Sequence, residues 1–433
     1  MEPKRILFLG TTGTGKQAEM RRLINRLPAR PEWHCLDFEG DFLFNQDVGG
    51  DSPADFLDND QKSQSIAWEK AWHLFQQKLL SLGDQVMLSL HASFIRGHYG
   101  GRCFAQPDII AREFKPDLII TCISDIYDAW ERTQVKARND ALIGRPTLEQ
   151  LILGRRDELL IGDLISRACG PATRNIMLSV SHPVATFTNA ITHPKPTIVY
   201  LSFPISDPRE LRNEGDGGAA IQMVNDFIKL AYRFQAENPN LVVQCPLTID
   251  ELPLRSIYVD SHLRDQRSVT IEEKNHEGIA IREEKCLRFL RSDRWDLKDF
   301  MNEQDEIFVP SPVGSEIVIP ETQLGNAVGN IHTDVTFRDY RYVEQAHVIA
   351  LFNPIIRKSR PELSRSVQNE IGHALQNKSR VFVYQDKELD DLGVVTAQFG
   401  EPGTMASSPS QQRRFRASSP QALFQQIVQI SPR

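Results

Sequence analysis

Cysteine is scarce in this chain. Six residues among 433 are scattered at positions 35, 103, 122, 169, 245 and 286, with no pair at the two-residue spacing of a zinc or redox motif. That pattern excludes a cysteine zinc site and a dense disulfide framework, and it is expected of reduced thiols in the cytoplasm. Long apolar runs are missing as well, so no membrane span is expected. The opening Met1-Glu-Pro-Lys-Arg5 leads into a short strand rather than a signal-peptide core. Charge of one sign is not in large excess. The formal net charge is −7 with 25% charged residues, which argues against a nucleic-acid coat and leaves nucleic acid off the expected partners. No internal repeat is evident, and the length points to two or three domains.

What is present begins with a buried-strand run, Arg5-Ile-Leu-Phe-Leu-Gly10. It is followed by Gly10-Thr11-Thr12-Gly13-Thr14-Gly15-Lys16-Gln17 and a helical pattern from Glu19 to Leu27. Strand, glycine loop and helix are the context a phosphate-binding loop requires. Backbone N–H groups of the loop cradle phosphates and Lys16 reaches the outer ones. Gln17 stands where a Ser or Thr hydroxyl would hold Mg²⁺. ATP is the expected ligand, with Mg²⁺ accompanying it, and Gln17 puts turnover in question more than binding. A glycine-rich turn without a ligand is the plain alternative.

Four more strand runs follow, ending near Phe38, His91, Ser124 and Val180, with Asp37 or Glu39 near the phosphates. Trp68, Trp72, Phe75 and Leu79 recur at helical spacing, which predicts core rather than a base-stacking surface. Arg155 and Arg156 lie on a helix that Thr147 caps. They read equally as phosphate clamps or as a solvated face. With the loop, Leu90-His91-Ala92, the arginine pair and Val180-Ser-His-Pro183, this half resembles the adenylate-kinase-like nucleoside monophosphate kinases. The resemblance implies arginines that clamp phosphates during transfer.

Thr192-His-Pro-Lys-Pro-Thr197 reads as a boundary. The expected layout is a nucleotide-binding domain over 1–191, a linker at 192–196 and a second domain over 197–433. The charged stretch at about 255–330 reads as an insertion or lid within the second domain. Both domains are expected to be three-layer α/β units with parallel sheets. Pro402 to Pro420, rich in Ser, Pro and Arg, reads as a mobile tail segment, and a short helix closes the chain.

The second domain opens with Thr197-Ile-Val-Tyr200-Leu-Ser202-Phe-Pro204. Further on, Arg338 and Asp339 lie on a helix that feeds the strand Ala346-His-Val-Ile-Ala-Leu-Phe352. A loop then leads to Ser364-Arg-Ser366-Val-Gln-Asn369-Glu370-Ile-Gly-His-Ala374. Ser364 and Ser366 would sit at a helix entrance, where N–H groups and the helix dipole favour an anion. Glu370 would face a pocket at the strand ends, or be an ordinary helix glutamate with Ser364 an ordinary N-cap.

These three blocks resemble the nucleoside 2-deoxyribosyltransferase family, more closely its 2′-deoxynucleoside 5′-monophosphate N-hydrolases. The resemblance implies Glu370 as nucleophile on the anomeric carbon or stabiliser of its charge. Asp339 would orient the sugar or handle the proton on the base, and Tyr200 would position Glu370. Ser364 would bind the 5′-phosphate, with Ser366, Asn369, Arg338 and Ser202 around the substrate. Ser366 departs from the family's usual Gly, and Arg357, Lys358, Arg360 and Arg365 could offset that with positive charge. A homo-oligomer is also implied.

The expected function is N-glycosidic hydrolysis of a (deoxy)nucleoside 5′-monophosphate, coupled to a kinase-like nucleotide-binding domain, in control of a nucleotide pool or in phage defence. An active nucleotide kinase, a nucleotide sensor, and a glycosidase that acts on NAD or exchanges bases stay open.

Overall fold

A computed structural model describes residues 4–27, 33–48, 50, 52–83, 85–96, 100–103, 105–139, 146–205, 218–274, 280–302, 316–353, 364–384 and 414–431. The chain forms two compact units. The first holds Met1–Ser181, Ile249–Trp295 and Phe308–Val335, and the second holds His182–Thr248, Asp296–Ile307 and Thr336–Arg433. Each unit is built on a parallel five-stranded sheet, as the buried apolar runs predict.

In the first unit the strands are β1 (Arg5–Leu9), β2 (His34–Asp37), β3 (Val86–Ser89), a hairpin of β4 (Ser93–Arg96) and β5 (Gly100–Cys103), β6 (Leu118–Ile123) and β7 (Arg174–Ser179). The sheet order is β2-β3-β1-β6-β7. β1 therefore lies between β3 and β6, and the loop that leaves it sits at the point where strand order reverses, the place where such sheets bind ligands. Asp60 caps the helix Gln61–Leu80, whose Trp68 and Trp72 are buried and stacked 5.0 Å apart, with Phe38 and Phe75 against them. These aromatics are core, as their spacing indicates.

The second unit contains β8 (Thr197–Ser202) and β9 (Leu241–Gln244). The charged stretch assigned to it by sequence instead contributes β10 (Ser268–Lys274), β11 (Ala280–Leu290) and β12 (Glu316–Pro320) to the first unit. This antiparallel sheet turns Leu287, Phe289, Ile317 and Ile319 onto Tyr127, Trp130, Leu151 and Ile152, one continuous core. These three strands are thus an integral layer of the first unit, while Asp296–Ile307 belongs to the second. The expected boundary also moves. The helix Val184–Thr192 belongs to the second unit, where Asn189 Nδ2 donates to the Leu241 carbonyl at 2.9 Å. Pro194 and Pro196 mark a turn within that unit, because proline ends a helix before a strand as readily as it separates domains.

The second sheet is completed by β13 (Val348–Phe352), β14 (Arg380–Tyr384) and β15 (Arg414–Arg416), in the order β9-β8-β13-β14-β15. β8 sits at the reversal point, as β1 does in the first unit. β15 pairs in parallel with β14, so the end of the stretch read as a mobile tail is an edge strand. Residues 402–413 of that stretch lie outside the described residues. The helix Pro420–Ile430 closes the chain as expected, with Leu423, Phe424 and Ile427 buried. No helix among the described residues is long and apolar enough to cross a membrane.

Candidate functional site

The helix Arg365–Gln376 buries Val367, Glu370, Ile371 and Ala374, the one-sided stripe of an amphipathic helix. A carboxyl group thus occupies a position that packing would give to a hydrophobe. Glu370 is 8% exposed. Tyr200 and Ser202, two apart on β8, share one face of the sheet and meet it. Ser202 Oγ donates to Glu370 Oε2 at 2.6 Å and Tyr200 Oη to Oε1 at 3.4 Å. Burial, then the charge of Asp339, push the Glu370 carboxyl up to about 8, while the hydrogen bonds from Ser202 and Tyr200 pull the other way.

Asp339 comes from the helix Glu321–Gln345, and its carboxylate accepts from Arg338 Nε and Nη2 at 3.3 and 3.2 Å. Arg338 is buried and pairs with Asp339. Ser202, also buried, holds Glu370. Ser364 is the N-cap: its Oγ accepts from Val367 N–H at 3.4 Å and lies 3.1 Å from Ser366 Oγ. Arg365, Ser366 and Asn369 are exposed on the first turns of that helix. Arg357, Lys358 and Arg360 lie outside the described residues. Sequence reading missed Tyr342, which stacks on Tyr200 with centroids 6.0 Å apart and planes at 22°. Its signal is the three-residue step from Asp339 on one helix.

In the first unit, Gly13 and Gly15 take positive φ of 79° and 95°, the backbone a phosphate loop needs. Lys16 is buried, donating to the Gly10 carbonyl at 3.0 Å and approaching His91 Nε2 at 2.7 Å. A lysine ammonium can only donate, so Nε2 accepts and Nδ1 carries the proton. That Nδ1 lies 3.2 Å from Glu39 Oε2. Burial lowers the Lys16 pKa, and Glu39, Glu158 and Asp37 oppose it. Burial pushes Glu39 up to about 7 and Asp37 to about 6. The Gln17 amide Nε2 donates to Asp37 Oδ2. Thr11 and Thr14 hydroxyls bond each other across the loop at 3.0 Å, and Thr12 is partly exposed. Arg132 supports the loop by donating to the Gly13 carbonyl, with Ser124 Oγ at 3.1 Å from its Nη2.

Arg155 Nη1 donates to the Ser124 carbonyl at 3.0 Å, behind the loop. Arg155 is buried on Glu251, with two bonds of 2.9 Å, and on Asp334, while Arg156 Nε donates to Asp334 at 2.9 Å. They fasten β10–β12 and its helices within the first unit, and the clamp reading is set aside. Glu158, one turn further along the same helix, accepts the N–H groups of Gly10, Ala92 and Ser93 at 3.0–3.2 Å.

No protein-family model matches the chain, and no curated protein matches it.

Proposed function

We propose that the second unit hydrolyses the N-glycosidic bond of a (deoxy)nucleoside 5′-monophosphate and that the glycine loop of the first unit holds a nucleotide by its phosphates, ATP being the expected ligand. The observation that carries the first part is Glu370. A buried carboxyl of raised proton affinity, held by two hydroxyls of the strand at the reversal point of a parallel sheet, is the kind of group that functional sites carry.

Cleavage of the C1′–N bond sends the electron pair to the base and leaves positive charge on the sugar. Glu370 as carboxylate meets that charge, by bonding to C1′ or by stabilising it, and water then takes the sugar. Ser202 and Tyr200 fix the direction of the carboxylate. Asp339, steadied by Arg338, orients the sugar or passes a proton to the departing base. Ser364, Ser366 and the N–H groups of the first helical turn suit a 5′-phosphate.

The test is release of free base from a panel of NMPs, dNMPs and NAD, followed by mass spectrometry. Base should appear with the wild type and not with Glu370→Gln. No base from any substrate, with or without ATP, would overturn the reading. New phosphorylated products instead would point to a kinase.

A further inference from the structure

The donor set at the glycine loop does not fit the Mg²⁺ that such loops usually bind with their nucleotide. In those loops the residue after the lysine presents a hydroxyl oxygen to the ion. Here that residue is Gln17, and its amide nitrogen is turned to Asp37 Oδ2. The opposite orientation would face the amide oxygen to a carboxylate, two like partial charges in contact. The amide N–H₂ therefore occupies the corner between the loop and the end of β2. An N–H₂ group carries hydrogens and no available lone pair, so it repels a cation.

Each nearby acid has one oxygen committed to a donor of the protein. Asp37 takes the amide. Glu39 accepts the His91 backbone N–H at 2.7 Å and faces the His91 ring. His91 in turn faces Lys16. Among the described residues, no group of three or more His, Cys, Asp or Glu side chains is arranged to hold a metal ion. Positive charge for a phosphate is nevertheless at hand in Lys16, at the head of its helix, and in Arg132 behind Gly13.

From this geometry we infer that the loop of the first unit binds its polyphosphate ligand as the metal-free anion, with Gln17 as the residue that excludes the divalent ion. The inference rests on the reading of this loop as a phosphate site, and it is independent of the glycosidase. It gives Gln17 a defined role: with the hydroxyl present, Asp37 would be released to face an ion beside the loop, and with the amide present it is held.

The experiment is calorimetric titration of the full chain with ATP and with inorganic tripolyphosphate, which needs no recognition of a base. Each is run in EDTA and in millimolar Mg²⁺. Wild type should bind both ligands in EDTA, with Mg²⁺ giving no gain in affinity. Gln17→Ser and Gln17→Thr should acquire tighter binding in Mg²⁺, on the order of tenfold. Lys16→Ala should lose binding in every condition. Circular dichroism of each variant separates a lost site from a lost fold, and the two hydroxyl variants serve as checks on one another. Wild-type binding that requires Mg²⁺ would overturn the inference while leaving the loop a phosphate site. Binding that stays indifferent to Mg²⁺ in both Gln17 variants would remove Gln17 as the determinant. No binding of either ligand under any condition would overturn the phosphate-site reading itself, and base release from the second unit would be unaffected by that result.

Discussion

Replacing Glu370 with Gln should make the protein more stable at high pH. In the folded protein burial and Asp339 hold the Glu370 carboxyl at about 8, against an ordinary 4.5. Between those limits the folded chain keeps a proton that the unfolded chain has released. Stability from this residue is therefore fully present below pH 4.5, falls steadily as pH rises, and is lost above about 8. At about 1.4 kcal/mol for each tenfold change in proton affinity, the whole span corresponds to at most about 5 kcal/mol. Water drawn to the ionised group would reduce this to about 2–4 kcal/mol. Gln keeps an oxygen for Ser202 and Tyr200 and has nothing to ionise. Urea denaturation should then show Glu370→Gln close to wild type at pH 5 and more stable by about 2–4 kcal/mol at pH 9. Far-UV circular dichroism is the appropriate probe, because all five tryptophans belong to the first unit, so their emission reports there. Asp37 and Glu39 titrate with the same sign in the first unit, and the difference between variant and wild type cancels them. A stability difference that does not change between pH 5 and pH 9 would refute the reasoning.

Four further outcomes follow from the same geometry. If Glu370 reacts as the carboxylate, kcat/KM for base release should rise with pH and level off above about 8, and Ser202→Ala, which deletes the 2.6 Å bond, should lower kcat roughly 10- to 100-fold and move that rise to higher pH. Gly13→Ala forces a Cβ to 2.4 Å from the Ala129 carbonyl at φ 79°. It should destabilise the first unit by about 1–3 kcal/mol, read as an earlier melt in tryptophan fluorescence, and should abolish nucleotide binding in the same titrations. Arg155→Leu leaves Glu251 and Asp334 buried beside a hydrocarbon and should cost about 3–5 kcal/mol in denaturation, with part of the loss recovered when Glu251→Gln is added.

The two parallel sheets were legible because their strands are buried on both faces and read as apolar runs, β1 and β13 above all. The assembly of Tyr200 with Glu370 was legible for a related reason: a parallel sheet brings the carboxyl ends of its strands and the following helices to one edge. Arg155 was not. Its partners lie 96 and 179 positions away, and an adjacent arginine pair looks the same in sequence whether it clamps phosphate, faces water or closes a core. β11 carried a visible signal, since Leu287 and Phe289 flank Arg288, whereas Ile317-Val318-Ile319 of β12 is an unbroken apolar run. Alternation reports that one face is buried and says nothing of what buries it. β15 was hidden by being three residues long and two-thirds arginine.

Two buried glutamates, Glu158 and Glu370, differ in what holds them. Burial raises the proton affinity of both. Glu158 receives backbone N–H groups of Gly10, Ala92 and Ser93, with His91 and Lys16 adding attraction. Backbone N–H groups only donate, so they favour the ionised form and would lose their acceptors if Glu158 moved. Their fixed geometry ties the ends of β1 and β3 to one helix, and a change of charge there would unsettle the loop itself. Glu370 is held by hydroxyls. A hydroxyl donates to a carboxylate and can turn to accept from a carboxylic acid, so Ser202 and Tyr200 can serve either protonation state without rearranging the backbone. Asp339 then raises the cost of the ionised form in the absence of substrate, and positive charge developing on a sugar would relieve it. A carboxyl that can change charge in place, at the reversal point of its sheet, is suited to a reaction that makes and removes a cation.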